Sequence, residues 1–144
     1  MSSKSLILVI IQFASFLFFG LVGNIFASGY LLVFQILGLL IGLWGIVVMK
    51  MGNFNIQPEV KNHATLVSSG PYKIIRNPMY SGLLLFFSIS VFTNYTLLRL
   101  VVLIILAIVL VLKIFMEENF LEQKFGDMYV RYVKKTYRLI PFIF

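Results

Sequence analysis

The residues able to do chemistry in this chain fall in two short places. One is the run GPYKIIRNPMYSG, residues 70–82; the other is the acidic pair Glu117-Glu118, directly after a long apolar stretch. Arg76 offers a planar fork of donors that takes a carboxylate or phosphate through paired hydrogen bonds. Asn77 before Pro78 has the form of a helix start, because proline is tolerated at the first helical position and asparagine is a favoured cap. A helix beginning there presents unpaired N–H groups and the positive end of its dipole, which attract the same anions. An arginine, this Asn-Pro break and the two tyrosines Tyr72 and Tyr80 are costly to keep beside a bilayer without a purpose. A plainer reading stands next to this one: Asn77 only caps, Arg76 only anchors to lipid headgroups, and the glutamates favour a helix N-terminus or pair with Lys113 and Lys124. Spacing alone leaves both open.

What surrounds these residues is membrane. Hydrophobic residues make up 60% of the 144 and charged residues only 12%, with a mean hydropathy of +1.00, far from the soluble norm. The absence of cysteine excludes thiol nucleophiles, disulfides and thiolate metal sites, and a lone histidine, His63, excludes a multi-histidine metal site. The net charge of +7 fits an anionic membrane face better than nucleic acid.

Four apolar stretches, about 6–27, 30–49, 79–95 and 98–116, each approach the ~20 residues that cross a bilayer as a helix. The first has a basic residue before it and small residues after it, but its apolar core is too long for a secretory signal. Short turns at Ser28-Gly29 and Thr93-Asn94 make adjacent spans antiparallel. The fold expected is therefore all-α: an integral membrane bundle of about four transmembrane helices, forming a single membrane domain over 1–144. Four spans put both termini, the 50–78 loop and the 117–144 segment on one side. That side carries eleven of the twelve basic residues, with Arg99 alone opposite, so it is expected to be cytosolic. Gly38 and Gly42 form a GxxxG step suited to close helix packing.

After the fourth stretch the pattern becomes amphipathic. Leu121, Phe125, Met128, Tyr132 and, more weakly, Tyr129 share one side of a helix, with Lys124, Arg131, Lys134 and Lys135 largely elsewhere. Such a C-terminal helix lies on the membrane or folds back over the bundle mouth, with Gly126 marking a bend.

Two blocks carry a family resemblance. HATLVSSGPYKIIRNPMYSG, then, two spans later, EENFLEQKFGDMYVRYVKKTYRLIP, resemble the isoprenylcysteine carboxyl methyltransferase and phospholipid methyltransferase superfamily of integral membrane enzymes, over residues 60–141. That family has a GPY…RHPxYxG block followed by EExxL…FGxxYxxY…P. The resemblance implies S-adenosyl-L-methionine as methyl donor, bound on the cytosolic side, and a lipid, lipidated or small hydrophobic acceptor arriving from the bilayer. It places Gly70, Tyr72, Arg76, Asn77, Pro78, Tyr80, Glu117, Glu118, Leu121, Tyr129 and Tyr132 around the donor, with Arg76, Asn77, Glu117 and Glu118 closest to the chemistry. Arg76 and the helix start would face the donor's carboxylate, a glutamate its ammonium or ribose hydroxyls, and Tyr72 or Tyr80 its sulfonium.

One departure stands out. The family's histidine in RHPxY is Asn77 here, which removes a titratable group and keeps a capping one; His63 is then either drawn to the site or simply solvated. Two other readings remain. The ending RLIPFIF is similar to that of membrane sterol and steroid reductases, which implies NADPH, and the loss of the histidine fits a non-catalytic membrane protein. Small size points to a bacterial inner membrane. Acceptor identity and oligomeric state are not encoded in these patterns.

Overall fold

In hydrocarbon a backbone must satisfy its own hydrogen bonds, and long apolar runs do so by coiling into helices. A computed structural model of the protein describes residues 3–53 and 65–144. Its helices are α1 (Ser3–Val22), α2 (Tyr30–Asn53), α3 (Pro78–Thr93), α4 (Leu97–Phe125) and α5 (Asp127–Val133), with a 3₁₀ turn at Gly70–Lys73 before α3. The described residues form no strand, only an isolated bridge between Ile75 and Tyr137. Residues 54–64 of the expected loop, including Glu59, Lys61 and His63, lie outside the described residues.

The protein is an all-α membrane protein, with one refinement of the expected four spans. Helices α1, α2 and α4 are long and apolar enough to cross a bilayer. Helix α3 has 16 residues, about 24 Å at 1.5 Å per residue, short of the ~30 Å hydrocarbon core. It packs on α2 and on α4, and α1 packs on α4 and, through Phe16 and Phe19, on Phe87 of α3.

Boundaries also differ at the end of α4. The helix runs unbroken from Leu97 to Phe125, so Glu117 and Glu118 stand within it and do not open a new helix. The fall in hydropathy at these residues marks a change of environment, while the backbone hydrogen bonds continue. Gly126 ends α4 with a left-handed φ of +51°, and the chain restarts as the short α5. The change of phase alters the inward face: Tyr129 is buried and Met128 is half exposed, the reverse of what one continuous amphipathic helix predicts.

The ends of the bundle are tied by polar groups. Where α1 stops, Arg99 at the start of α4 donates from Nη1 to the Asn24 carbonyl at 3.3 Å and from Nη2 to the Gly23 carbonyl, satisfying acceptors that a helix C-terminus leaves unpaired. Asn94 Nδ2 donates to Asn24 O at 2.8 Å. Gln35, fully buried in α2, accepts from Ala27 N at 2.7 Å and donates to the carbonyls of Ile25 and Phe86 at 2.8 and 3.3 Å. It joins the α1–α2 turn to α3.

Between α2 and α3 the backbones nearly touch. The expected Gly38–Gly42 step meets Gly82 of α3: a Cβ on Gly82 would come within 2.8 Å of Gly42 N and closer still to Gly38 O. On the other side of α3, Phe87 stacks on Phe16 with ring centroids 5.5 Å apart and tilts against Phe19 at 4.7 Å, and Leu106, Leu110 and Ile114 of α4 complete the core.

Two outcomes follow. Alanine is favoured over glycine in a helix by ~1 kcal/mol, yet Gly82→Ala forces backbone apart. We expect a net destabilisation of about 1–3 kcal/mol, read as a lowered unfolding midpoint in detergent. Gly42→Ala meets only Met79 O at 3.9 Å and is expected to be neutral within about 0.5 kcal/mol. The hairpin arrangement also places residues 69 and 94 at opposite ends of α3, so single cysteines introduced there should label from opposite sides of sealed vesicles; labelling from the same side would refute the topology.

Candidate functional site

The site grows from the end of the bundle where α3 begins and α4 emerges. Gly70 starts it with φ +56°, a conformation that favours glycine, and a Cβ there would lie 2.8 Å from Val48 Cγ2. The following 3₁₀ turn drives Tyr72 against α2, where its hydroxyl donates to Gly45 O at 3.3 Å. The chain then runs beside the C-terminal strap, residues 134–144, and meets it in the Ile75–Tyr137 bridge. Tyr137 N donates to Ile74 O at 2.9 Å, Arg76 N to Tyr137 O at 2.7 Å, and Asn77 N to Arg138 O at 3.2 Å.

One carboxylate joins these segments. Glu118 Oε1 accepts from Arg76 Nε at 2.9 Å, and its Oε2 accepts from Arg138 Nε at 2.9 Å. Side chains of Arg76 and Glu118 are only 7% and 14% exposed, so this ion pair is poorly screened. The guanidinium is further satisfied by carbonyls of the strap and α5: Arg76 Nη1 donates to Thr136 O at 2.5 Å and to Val133 O at 3.2 Å. Arg138 lies over the rings of Phe115 and Phe144, at 5.1 and 5.4 Å. Buried pairs of this kind need such extra partners to offset desolvation.

Glu117 has a different partner. Its Oε1 accepts from the Tyr80 hydroxyl at 2.5 Å, linking α4 to the first turn of α3. Tyr132 of α5 donates to Tyr72 O at 2.8 Å. Tyr129, 3% exposed, has a hydroxyl with no hydrogen-bond partner among the described residues. Burial pushes the phenols of Tyr72, Tyr129 and Tyr132 above their ordinary range. At Tyr129 the Glu118 charge adds to this and Arg76 opposes it. All three remain protonated donors at neutral pH.

Asn77 departs from the expected cap. It makes no side-chain bond to the start of α3; its Nδ2 donates to Arg138 O at 3.1 Å. With φ −126° and ψ 59° its backbone is not the extended one of a usual cap, and the amide serves the strap. The chemistry used at this position is thus that of an N–H donor, which a neutral histidine also possesses.

The two blocks therefore meet: Gly70, Tyr72, Arg76, Asn77, Pro78 and Tyr80 stand at the same end as Glu117, Glu118, Tyr129 and Tyr132, with Leu121 half-buried one turn along α4. Sequence reasoning missed Arg138 and Thr136, whose partners lie some sixty residues upstream. It also counted Lys113 with the polar side, whereas Lys113 is buried and donates to Gln12 Oε1 at 2.7 Å. The available signal was two polar residues inside apolar spans.

A family model for phospholipid methyltransferases matches residues 24–128. The chain belongs to the phospholipid methyltransferase family. Protein-S-isoprenylcysteine O-methyltransferase B of Arabidopsis thaliana is 36% identical over 87 residues, which cover 58% of this chain and 43% of the plant protein; the chain spans less than half the length of that relative. The family match ends at Met128, so it covers Arg76, Asn77, Tyr80 and both glutamates of the phospholipid methyltransferase region, while Tyr129, Tyr132 and the strap join the site through their contacts.

The clasp predicts a measurable response. Arg138→Ala removes a charge-assisted bond, and Asn77→Asp replaces a donor by a carboxylate facing a carbonyl. Each is expected to raise hydrogen exchange at the Tyr137 amide about tenfold, the equivalent of ~1.4 kcal/mol. Arg131→Ala, at an exposed position of α5, should leave it unchanged; equal effects from all three would disprove the clasp.

Proposed function

We propose that the protein is an S-adenosylmethionine-dependent methyltransferase, a single membrane domain working at the cytosolic face on an acceptor that arrives from the bilayer. The observation that carries this reading is the buried hydroxyl of Tyr129, unpartnered among the described residues, beside the Arg76–Glu118–Arg138 cluster. A phenol donor, guanidinium groups and two carboxylates in one protected place suit a small ligand bearing a carboxylate, an ammonium and hydroxyls. Family membership supports the same donor. When bound, that donor supplies an electrophilic methyl group on a sulfonium.

The chain's own residues have the tasks of binding, orienting and excluding water. Arg76 holds Glu118 in a fixed direction and contributes positive charge toward the donor's carboxylate. Glu118 and Glu117 accept from ammonium or ribose hydroxyls, and the Tyr80 hydroxyl sets the direction of Glu117. Tyr72, packed between the 3₁₀ turn and α2, walls the site on one side. The strap covers the α3 start, and Asn77 keeps it there in the place of a family histidine. No proton transfer at Asn77 is required.

Calorimetry with S-adenosylhomocysteine and detergent-purified protein tests the reading. Binding is expected, with NADPH giving none; the opposite pattern would replace methyl transfer by hydride chemistry, and no binding of either would overturn the enzyme reading. Arg76→Ala should weaken S-adenosylhomocysteine by about tenfold or more, and Lys134→Ala should not. Tyr129→Phe gives the sharpest contrast. It removes no hydrogen bond among the described residues, so stability should hold or rise, while ligand affinity falls by about five- to tenfold.

A further inference from the structure

Helix α3 is short for the bilayer it stands in. Its 16 residues fall below the ~30 Å of a hydrocarbon core, so another apolar element must meet lipid near one of its ends. At the Pro78 end that element is the turn of the strap, residues 139–144. Ser81 Oγ, near the start of α3, donates to Leu139 O at 2.7 Å, and Leu139 is buried in the same core cluster as Ile114 of α4. The Arg138 guanidinium lies over Phe115 of α4 and Phe144 of the turn together. Ser81 and Phe115 both belong to the apolar stretches of the sequence, with the polar site directly beyond them. The turn therefore stands at the boundary between acyl chains and headgroups.

It has the two properties that such a place demands. Its backbone is largely self-satisfied: Leu139 N and Ile140 N donate to Phe144 O at 2.8 and 2.9 Å, and Ile143 N and Phe144 N donate to Ile140 O at 3.2 and 3.0 Å. Pro141 has no N–H to satisfy, and an unpaired donor would be costly away from water. Its outward side chains are apolar: Ile140 is half exposed, while Phe142 and Ile143 are 84% and 79% exposed. Phe142 is turned out from a left-handed backbone, φ +65°, which a bulky residue adopts only under constraint. Nothing is gained by presenting these groups to water. Lys134 and Lys135, exposed just before the turn, complete the pattern of an apolar wedge flanked by cations that suit anionic headgroups.

We propose that residues 139–144 are an anchor set into the acyl-chain boundary of the bilayer, with lipid as its partner, and that this anchor keeps the strap closed over the polar site. Arg138, the strap's hold on Glu118, directly precedes the turn. A turn seated in lipid keeps that guanidinium in place, and a released turn frees it. The insertion stands on the geometry alone; its effect on the donor rests on the methyltransferase reading.

The test uses the full chain in phosphatidylcholine nanodiscs. The chain has no cysteine, so Ile143→Cys and, as an aqueous reference on exposed α5, Asp127→Cys each carry one nitrobenzoxadiazole label. The label at 143 should be quenched by lipid bearing a doxyl group near the headgroup end of its acyl chain and spared by iodide, with the reverse at 127. Equal iodide quenching at the two positions overturns the insertion, and protection of 143 from both quenchers overturns lipid as the partner, since protein then covers the turn. Ile143→Asp, which places a charge where hydrocarbon is expected, should raise hydrogen exchange at the Tyr137 amide about tenfold or more and weaken S-adenosylhomocysteine about fivefold or more. Ile143→Leu should match the wild type in both. Unchanged exchange in Ile143→Asp overturns the anchoring of the strap, and the labelling arm decides the insertion even if that variant fails to fold. The two readings fail separately: a loosened strap in a protein whose wild type binds no S-adenosylhomocysteine refutes only the methyl donor, and a loosened strap with full affinity refutes only the anchor's control of the site.

Discussion

Glu118 is shared by two arginines that reach it from opposite ends of the site. Arg76 comes from the chain before α3 and Arg138 from the strap after α5, and each oxygen of the carboxylate takes one of them. Because Arg76 and Glu118 are largely withdrawn from water, loss of Arg76 leaves charge that solvent compensates poorly, a situation that costs ~3–5 kcal/mol in protein interiors, while loss of the more exposed Arg138 costs less. The site's shape therefore depends on the strap being in place. Segments far apart in sequence become one unit through a single side chain, beside the backbone bonds that join residues 74–77 to 137–138.

The membrane part solves a different problem. Lipid tails give helices no hydrophobic reason to associate, so contact depends on close fit and buried polar links. Gly82 against Gly38 and Gly42 supplies the fit for α2 and α3, and Gln35 supplies a link. On the α1–α4 side the link is Gln12 to Lys113. These two pairings leave α1 and α2 apart, and a cavity of about 310 Å³, lined by all four helices and reached by Lys113, is the geometric result.

Much of this was readable in the residues. Apolar run lengths, short turns and the charge split led to antiparallel helices whose polar ends converge, and the two motif blocks do converge. Gly38 and Gly42 read correctly because close packing requires small residues wherever it occurs. What could not be read depended on partners distant in sequence. Asn77 looks like a cap from its neighbours, and only the Arg138 carbonyl, 61 residues on, redirects it. Lys113 near the end of an apolar run looks like a residue that reaches for the interface, and Gln12, 101 residues away, holds it inside. The end of α4 was misplaced because Met116-Glu117 changes the surroundings without changing the helix. At Gly126 one left-handed residue was enough to turn Tyr129 inward.

The unbroken course of α4 has a metrical consequence. Lys113, Glu117 and Glu118 are carried on one continuous helix, where four residues make about 6 Å of axial rise. The step from the membrane cavity to the polar site is therefore a property of a rigid rod. Rearrangement of the strap changes what surrounds the glutamates, and movement of α1 changes the width of that cavity, but neither changes that step. Helix α4 acts as a ruler, with its graduations set by backbone geometry.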